Sequence, residues 1–180
     1  AQRRAHDAGA DVGHDRGARE ELRHAVRELP RRHDALRASF STDGLQLRVP
    51  ADAPELEVAL VDLGGAADPE AALAAIGERH VSEPFDLQRG PLLRAELVRL
   101  AADHHVLVLS GHHIVLDGWS FWVVVKDLAA LYALASGARS APLPPAPSFA
   151  EYALAQARQA ETPEAAAEVE WSIRRFADGA

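Results

Sequence analysis

Apolar residues recur at helical spacing in several parts of the chain. Leu22, Val26 and Leu29 form one such stripe, which predicts an amphipathic helix that ends near Pro30 or at about residue 33. Because proline fits the first turn of a helix, Pro69 is expected to open the next one. The predicted helices cover residues 20–33, residues 69–83, a long buried helix over 119–137 that ends at Gly137, and two stretches around Pro163 within 148–180.

Shorter runs between these helices predict strands. Residues 35–40 and 45–49 flank the turn STDG and predict a short hairpin, and residues 55–62 alternate as a strand does. Residues 92–100 and 105–110 are joined by a short turn, which predicts an antiparallel hairpin. The second run is apolar along VLVLS, which favours a central strand buried on both faces. The predicted fold class is α+β, a mainly antiparallel sheet flanked by helices.

Regions without these patterns divide the chain. Residues 1–19 have no apolar period and predict a disordered or irregular lead-in. Residues 20–140 form the main folded unit. Residues 141–147 (APLPPAP) predict a stiff proline-rich connector, and residues 148–180 a helical segment beyond it.

Composition excludes several classes of function. The 19 basic and 27 acidic residues give a net charge of −8, which disfavours nucleic acid as a partner. The chain has no cysteine, which removes disulfides, thiolate nucleophiles and Cys-ligated zinc. No apolar run is expected to reach the roughly 18 residues that span a bilayer, and no signal peptide is visible, so we expect a cytoplasmic protein without membrane contact. The absence of methionine indicates that the sequence begins inside a longer or processed chain.

The segment GHHIVLDG, residues 111–118, follows a predicted strand and carries the candidate chemistry. Adjacent residues in an extended chain point to opposite faces, so His112 and His113 converge poorly on one metal ion, and no metal site is expected. One histidine could instead act as an acid or base, with Asp117 orienting it. The remaining alternative is a hydrogen-bonded core pair. The other His-His pair, residues 104–105, is expected to be solvated in a hairpin turn.

Four segments in order resemble the condensation domains of nonribosomal peptide synthetases. GHHIVLDGWS resembles the signature HHxxxDG, and residues 32–40 (RHDALRASF) are similar to RHExLRTxF. Residues 84–95 (PFDLQRGPLLRA) resemble PFDLxxGPLLRA, and residues 148–153 (SFAEYA) are similar to the YxDYAxW region. Trp171 fits the tryptophan that follows in such domains. The segment SxAQxRLW, with which the family opens, is matched only by residues 1–3.

The resemblance implies a lobe similar to chloramphenicol acetyltransferase. A whole condensation domain has two such lobes around a tunnel, and residues 20–140 would be the N-terminal one, with 148–180 leading toward a C-terminal lobe that this chain lacks. The implied reaction forms an amide between a donor acyl or peptidyl thioester and an acceptor aminoacyl thioester. The domain itself would bind no cofactor, because both substrates are carried on the 4′-phosphopantetheine of carrier proteins. The implied partners are the upstream and downstream peptidyl carrier proteins and an adjacent adenylation domain, in the biosynthesis of secondary metabolites such as antibiotics.

The resemblance also implies roles for single residues. His113 would be the active-site histidine, which either accepts the amine proton or holds the amine in place, with His112 packing or hydrogen bonding behind it. Asp117 would be structural, with Arg32 or Arg37 as its partner. Gly118 would leave room for the pantetheine arm or permit the turn into the helix. Trp119 and Ser120 are candidates for tunnel lining, Trp119 alternatively for the core.

Two other functions stay open. One is an ester-forming acyltransferase that shares HHxxxDG. The other, for a fragment of this length, is an inactive lobe that binds a carrier protein without catalysis.

Overall fold

The computed structural model describes residues 16–53 and 55–177, so the predicted lead-in lies almost entirely outside it. The chain forms two compact units, Ala1–Ala146 and Pro147–Ala180. In chain order the first unit contains α1 (Arg16–Arg32), a 3₁₀ turn (Asp34–Arg37), β1 (Ser39–Phe40), β2 (Leu47–Arg48), β3 (Val58–Asp62), α2 (Pro69–Ser82), β4 (Leu93–Ala101), β5 (His104–Gly111) and α3 (Gly118–Ala135). The second unit contains α4 (Phe149–Ala160) and α5 (Pro163–Ala177).

The main sheet has the strand order β3-β4-β5. β3 runs parallel to β4, and α2 connects them as the crossover that parallel strands require. β4 and β5 form the predicted antiparallel hairpin, with Leu97 opposite Leu107. Together with the helices, these mixed sheets confirm the α+β class.

β5 is the edge strand of this sheet among the described residues, so the prediction of a central strand is wrong. Most of its side chains are only half-buried. Leu107 and Leu109 face the core, whereas Ser110 contacts α2 on the other face. An apolar run therefore indicates that other elements pack on both faces of a strand, but it does not indicate that the strand has a hydrogen-bonded neighbour on each side. The prediction for the second His-His pair is also wrong in part, because His105 is buried within β5.

The core lies where α1 and α3 pack against the sheet. Val26 and Leu29 of α1 and Val58, Leu93 and Leu97 of the sheet have no exposed surface. Burying a side chain of this size contributes about 1.5–3 kcal/mol. This packing fixes α3 relative to the end of β5, which is where the HHIVLDG segment lies.

The helix boundaries follow local chemistry. Pro69 lies at the start of α2, as predicted, and the carboxylate of Asp68 caps that helix by accepting from the backbone N–H of Ala71 at 2.9 Å. α3 ends just before Gly137, which has φ +72° and favours glycine. α1 begins at Arg16, earlier than predicted, and residues 34–37 form a 3₁₀ turn where a strand was predicted.

α3 is less buried than its apolar sequence predicts. Only Val124, Asp127 and Leu128 are buried in it, and Trp119 is 83% exposed. By length and composition this one helix is apolar enough to cross a membrane, contrary to the expectation from the sequence. A core helix of a folded domain meets the same criterion.

The second unit is a pair of helices. The hydroxyl of Ser148 caps α4 by accepting from the backbone N–H of Glu151 at 3.2 Å. Two helices were predicted around Pro163, and α5 begins at that residue. Both helices keep large apolar side chains exposed, namely Tyr152, Leu154, Val169, Trp171, Ile173 and Phe176.

Candidate active site

The chain leaves β5 through a tight turn at Gly111. A Cβ on this residue would lie 2.7 Å from Cδ2 of Leu116, which is buried, so no larger residue fits without displacing the leucine. The backbone N–H of His112 donates to the carbonyl of Leu92 at 3.0 Å, and that of Val115 donates to the carbonyl of His112 at 3.1 Å. The turn therefore has a fixed backbone between the last residue of β5 and α3.

His112 lies against the PFDL segment. Its Nδ1 accepts a hydrogen bond from the backbone N–H of Ile114 at 3.1 Å, and its ring meets Phe85 edge to face at 5.8 Å between centroids. The guanidinium of Arg94 covers Phe85 at 3.9 Å and donates to two backbone carbonyls, those of Glu83 and Pro84, at 2.6 Å each. Two of the sequence motifs thus meet at this histidine.

His113 is exposed and borders an open cleft of about 320 Å³. The wall of the cleft is mostly apolar and comes from the end of β5, the turn and the first two turns of α3. Its residues are Ser110, Gly111, His113, Leu116, Asp117, Gly118, Phe121, Trp122 and Val125. The two adjacent histidines thus have different surroundings, one a packed aromatic contact and the other an accessible cleft.

Asp117 caps α3. Its Oδ1 accepts from the backbone N–H of Ser120 at 2.7 Å and from the Ser120 hydroxyl at 2.6 Å. These two hydrogen bonds hold the pKa of the exposed Asp117 carboxyl below its usual value of 3.8. The carboxylate is therefore ionised at neutral pH, and its role in this structure is to start the helix that follows His113.

The predicted pair between Asp117 and an arginine is wrong for both candidates. Arg32 donates through Nε to Oδ2 of Asp127 at 2.6 Å. Arg37 donates to backbone carbonyls, including that of Pro30 at 2.9 Å and that of Pro50 at 2.7 Å. Asp127 lies ten residues beyond Asp117, about 15 Å along the helix, and the end of α1 meets α3 at the later position.

Gly118 is the first residue of α3. A Cβ there would meet no atom within 4 Å, and the residue does not have the left-handed φ that favours glycine. The turn into the helix therefore does not require glycine at this position. A larger side chain would extend into space beside the cleft.

Two aromatic residues of the cleft were missed by the sequence reasoning. Phe121 and Trp122 line it, whereas Trp119 and Ser120, the two predicted lining residues, do not. The alternative position of Trp119 in the core is also wrong, because its side chain is exposed. Ser120 instead donates its hydroxyl to Asp117, which is a lining residue. Helical spacing could have found them, since Gly118, Phe121, Trp122 and Val125 share one face at positions i, i+3, i+4 and i+7. Residues 16–53 and 55–177 contain no group of three acidic or histidine side chains placed to hold a metal ion.

A family model for the condensation domain matches residues 14–171, which is most of the chain. The chain belongs to the condensation domain family. Phosphinothricin tripeptide synthetase PhsC of Streptomyces viridochromogenes is 41% identical over 139 residues, which cover 74% of this chain and 13% of that protein. The chain spans only 1% to 13% of the length of such curated relatives.

Two solved structures share this architecture, those of a starter condensation domain and of the protein SgcC5. The starter condensation domain of rhizomide synthetase RzmA superimposes with a TM-score of 0.80 at 24% identity, over 97% of this chain and 41% of that one, which shows the shared fold. SgcC5 of Streptomyces globisporus is 32% identical with a TM-score of 0.68, over 94% of this chain and 38% of that one. This condensation domain chain therefore corresponds to less than half of those proteins.

Proposed function

We propose that this condensation domain forms an amide bond between two carrier-bound thioesters, with His113 as the active-site residue. The observation that supports the proposal is the position of His113. It is the exposed histidine of the HHIVLDG turn, it borders the cleft, and the fixed backbone of the turn determines where it lies. Membership of the family supplies the class of reaction.

The proposed step is an aminolysis. The amine nitrogen of the acceptor attacks the carbonyl carbon of the donor thioester, a C–N bond forms and the C–S bond breaks. The leaving thiolate stays on the donor's pantetheine arm. The amine proton passes to the neutral imidazole of His113 and from there to the thiolate sulfur, so no other reactant is needed. If His113 only holds the amine, the proton reaches the sulfur through solvent and positioning supplies the rate.

The curated relatives are nonribosomal peptide synthetases, which implies a setting with carrier proteins and adenylation domains. The partners we propose are therefore an upstream and a downstream peptidyl carrier protein, an adenylation domain and a second lobe that completes the tunnel. We propose a cytoplasmic location, where loaded carrier proteins would be available.

Replacement of His113 tests the proposal. His113→Ala in the complete condensation domain should reduce amide formation between two loaded carrier proteins at least 100-fold, measured by mass spectrometry of the carrier-bound product. His104→Ala is the matched control, because His104 is also exposed but lies at the far end of β5. Equal product from His113→Ala and the control would refute the assignment.

Ester formation is the second candidate. The structure of SgcC5 was determined with a naphthyl-substituted ethanediol, a molecule with hydroxyl groups in place of an amine. Incubating the domain with a loaded donor carrier and either an aminoacyl carrier or a free diol separates the two reactions. If the domain turns over the diol and not the aminoacyl carrier, its reaction is ester formation and the proposal of amide formation is wrong.

A further inference from the structure

His80 is a buried histidine that the proposed condensation does not use. It lies on α2, is 5% exposed and faces the sheet. Its Nδ1 lies 2.9 Å from Oγ of Ser110, and its Nε2 lies 3.3 Å from Oε1 of Glu96. Nη2 of Arg79 lies 2.7 Å from both Glu96 oxygens. The four side chains form a continuous chain of polar contacts that ends at Ser110, on the strand that leads to His113.

The proton positions along this chain follow from Glu96. Burial raises the pKa of Glu96, but the hydrogen bond and charge of Arg79 and the contact with His80 outweigh it, so the pKa lies below its usual value of 4.5. An ionised carboxylate only accepts hydrogen bonds, so Nε2 of His80 carries the ring hydrogen. When the ring carries only this hydrogen, Nδ1 is an acceptor to which the hydroxyl of Ser110, 2.9 Å away, can donate.

This direction of the hydrogen bond determines whether the Ser110 hydroxyl can donate or accept a further one. A hydroxyl has one hydrogen and two acceptor positions, and the hydrogen is committed to His80. Ser110 borders the same cleft as His113, in a wall that is otherwise largely apolar. With that hydrogen on His80, the Ser110 oxygen has only acceptor positions to offer. A fixed acceptor of this kind recognises an N–H or O–H donor.

We propose that Ser110 is a binding residue of the cleft that accepts a hydrogen bond from an N–H of the substrate, with His80 and Glu96 as positioning residues that hold its hydroxyl. The proposal rests on the proposed function, since it takes the substrate to be an aminoacyl group on a pantetheine arm. Two N–H donors occur in such a substrate, the attacking α-amine and the amides of the arm.

Binding of two stable probes tests the proposal in the complete domain. One probe is alanyl-aminopantetheine, in which an amide replaces the thioester, and the other is alanine ethylamide, which lacks the arm. For the first probe, Ser110→Ala should raise the Kd by roughly three- to tenfold, the effect of losing one hydrogen bond. Ser110→Thr, which keeps the hydroxyl, should retain the affinity, and Ser82→Ala on exposed α2 surface is the control. A loss confined to the longer probe assigns the arm as donor. A loss that persists with alanine ethylamide assigns the α-amine when propionic acid ethylamide, which keeps the linking amide but has no amine, binds independently of Ser110. Dependence of propionic acid ethylamide on Ser110 would trace the loss to the linking N–H, which the natural thioester lacks, and would overturn the assignment.

The role of His80 is tested by a double-mutant cycle. His80→Gln can still accept from Ser110 and donate to Glu96, and should rescue most of the affinity, whereas His80→Leu should lose as much as Ser110→Ala does. If His80 acts through Ser110, His80→Leu has no further effect on the Kd once Ser110 is alanine. A purely structural His80 would weaken binding by the same factor in both backgrounds, which would overturn its positioning role.

Amide formation by the same variants separates this inference from the proposed function. If the wild-type domain binds the probes and Ser110→Ala leaves both the Kd and amide formation unchanged, the Ser110 assignment is overturned and the proposed function stands. If affinity depends on Ser110 but no amide forms with loaded carriers, the N–H site stands and the proposed function is overturned. Failure of the wild-type domain to bind either probe would overturn the Ser110 assignment, and amide formation with loaded carriers would then decide the proposed function independently.

Discussion

The ion pair between α1 and α3 should carry a measurable part of the stability of the chain. Oδ2 of Asp127 accepts from Arg32 at 2.6 Å and contacts Nε2 of His33 at 2.9 Å. The three side chains are 11%, 16% and 17% exposed, in the order Asp127, Arg32, His33. Asp127→Ala therefore leaves an arginine and a histidine with little access to water.

Two limits bracket the cost of that substitution. Breaking a fully buried pair costs about 3–5 kcal/mol, whereas an exposed pair contributes about 1 kcal/mol or less. Because the side chains are mostly but not fully buried, we expect Asp127→Ala to lower the free energy of unfolding by about 2–3 kcal/mol. For a protein of this size that corresponds to a fall in Tm of roughly 5–10 °C.

Urea unfolding followed by tryptophan fluorescence measures the effect. Asp62→Ala is the control, because Asp62 also pairs with an arginine, Arg99, at 2.7 Å but is 56% exposed. It should change the free energy of unfolding much less than Asp127→Ala. Equal losses for the two variants, or a coupling energy between Asp127→Ala and Arg32→Ala below about 0.5 kcal/mol, would refute the reasoning.

Three further predictions follow from the same structure. Burial lowers the pKa of His33 below 6.5, although the charge of Asp127 opposes this shift. The unfolded chain therefore binds the proton at a higher pH than the folded chain does, and the free energy of unfolding should fall as the pH drops below about 6.5. In urea unfolding from pH 7.5 to 5, the free energy of unfolding should depend less steeply on pH for His33→Gln than for the wild type, and an equal dependence would contradict this. Gly111→Ala should lower the free energy of unfolding by about 1–3 kcal/mol, because the new Cβ overpacks against Leu116. The double variant with Leu116→Val should regain part of this stability in thermal unfolding, and no gain would count against the close contact. Gly118→Val should leave Tm nearly unchanged but reduce amide formation about tenfold by narrowing the cleft, so full activity would show that substrate does not pass this residue.

Local signals in the sequence predicted much of the fold. Pro69 predicted the start of α2, Gly137 the end of α3, and the short turn between residues 92–100 and 105–110 the β4–β5 hairpin. Each of these depends on backbone preferences within a few residues, which a sequence displays directly. The position of β5 at the edge of the sheet depends on which strands pair with it, and the composition of β5 does not indicate its partners.

Long-range partners were the harder part of the site. Arg32 and Asp127 are 95 residues apart, and their contact depends on how far α1 lies along α3. The HHIVLDG motif indicated Asp117 as the conspicuous acid, while Asp127 lies unmarked within an apolar helix. Similarly, the Ser110–His80 contact joins α2 to β5 without any motif. Such pairs become visible only when the packing of the elements is known.

The guanidinium of Arg32 has a second task in the proline-rich connector. Besides its bond to Asp127, it donates through Nη1 to the carbonyl of Pro144 at 2.7 Å. Prolines have no backbone N–H, so this stretch cannot form the regular backbone hydrogen bonds of a helix or a strand. Its carbonyl groups therefore accept hydrogen bonds from side chains such as that of Arg32. The planar guanidinium thus donates in two directions at once, to the Asp127 carboxylate and to the Pro144 carbonyl. The compact ammonium of a lysine cannot reach both acceptors in the same way. The RH motif therefore specifies arginine by shape as well as by charge.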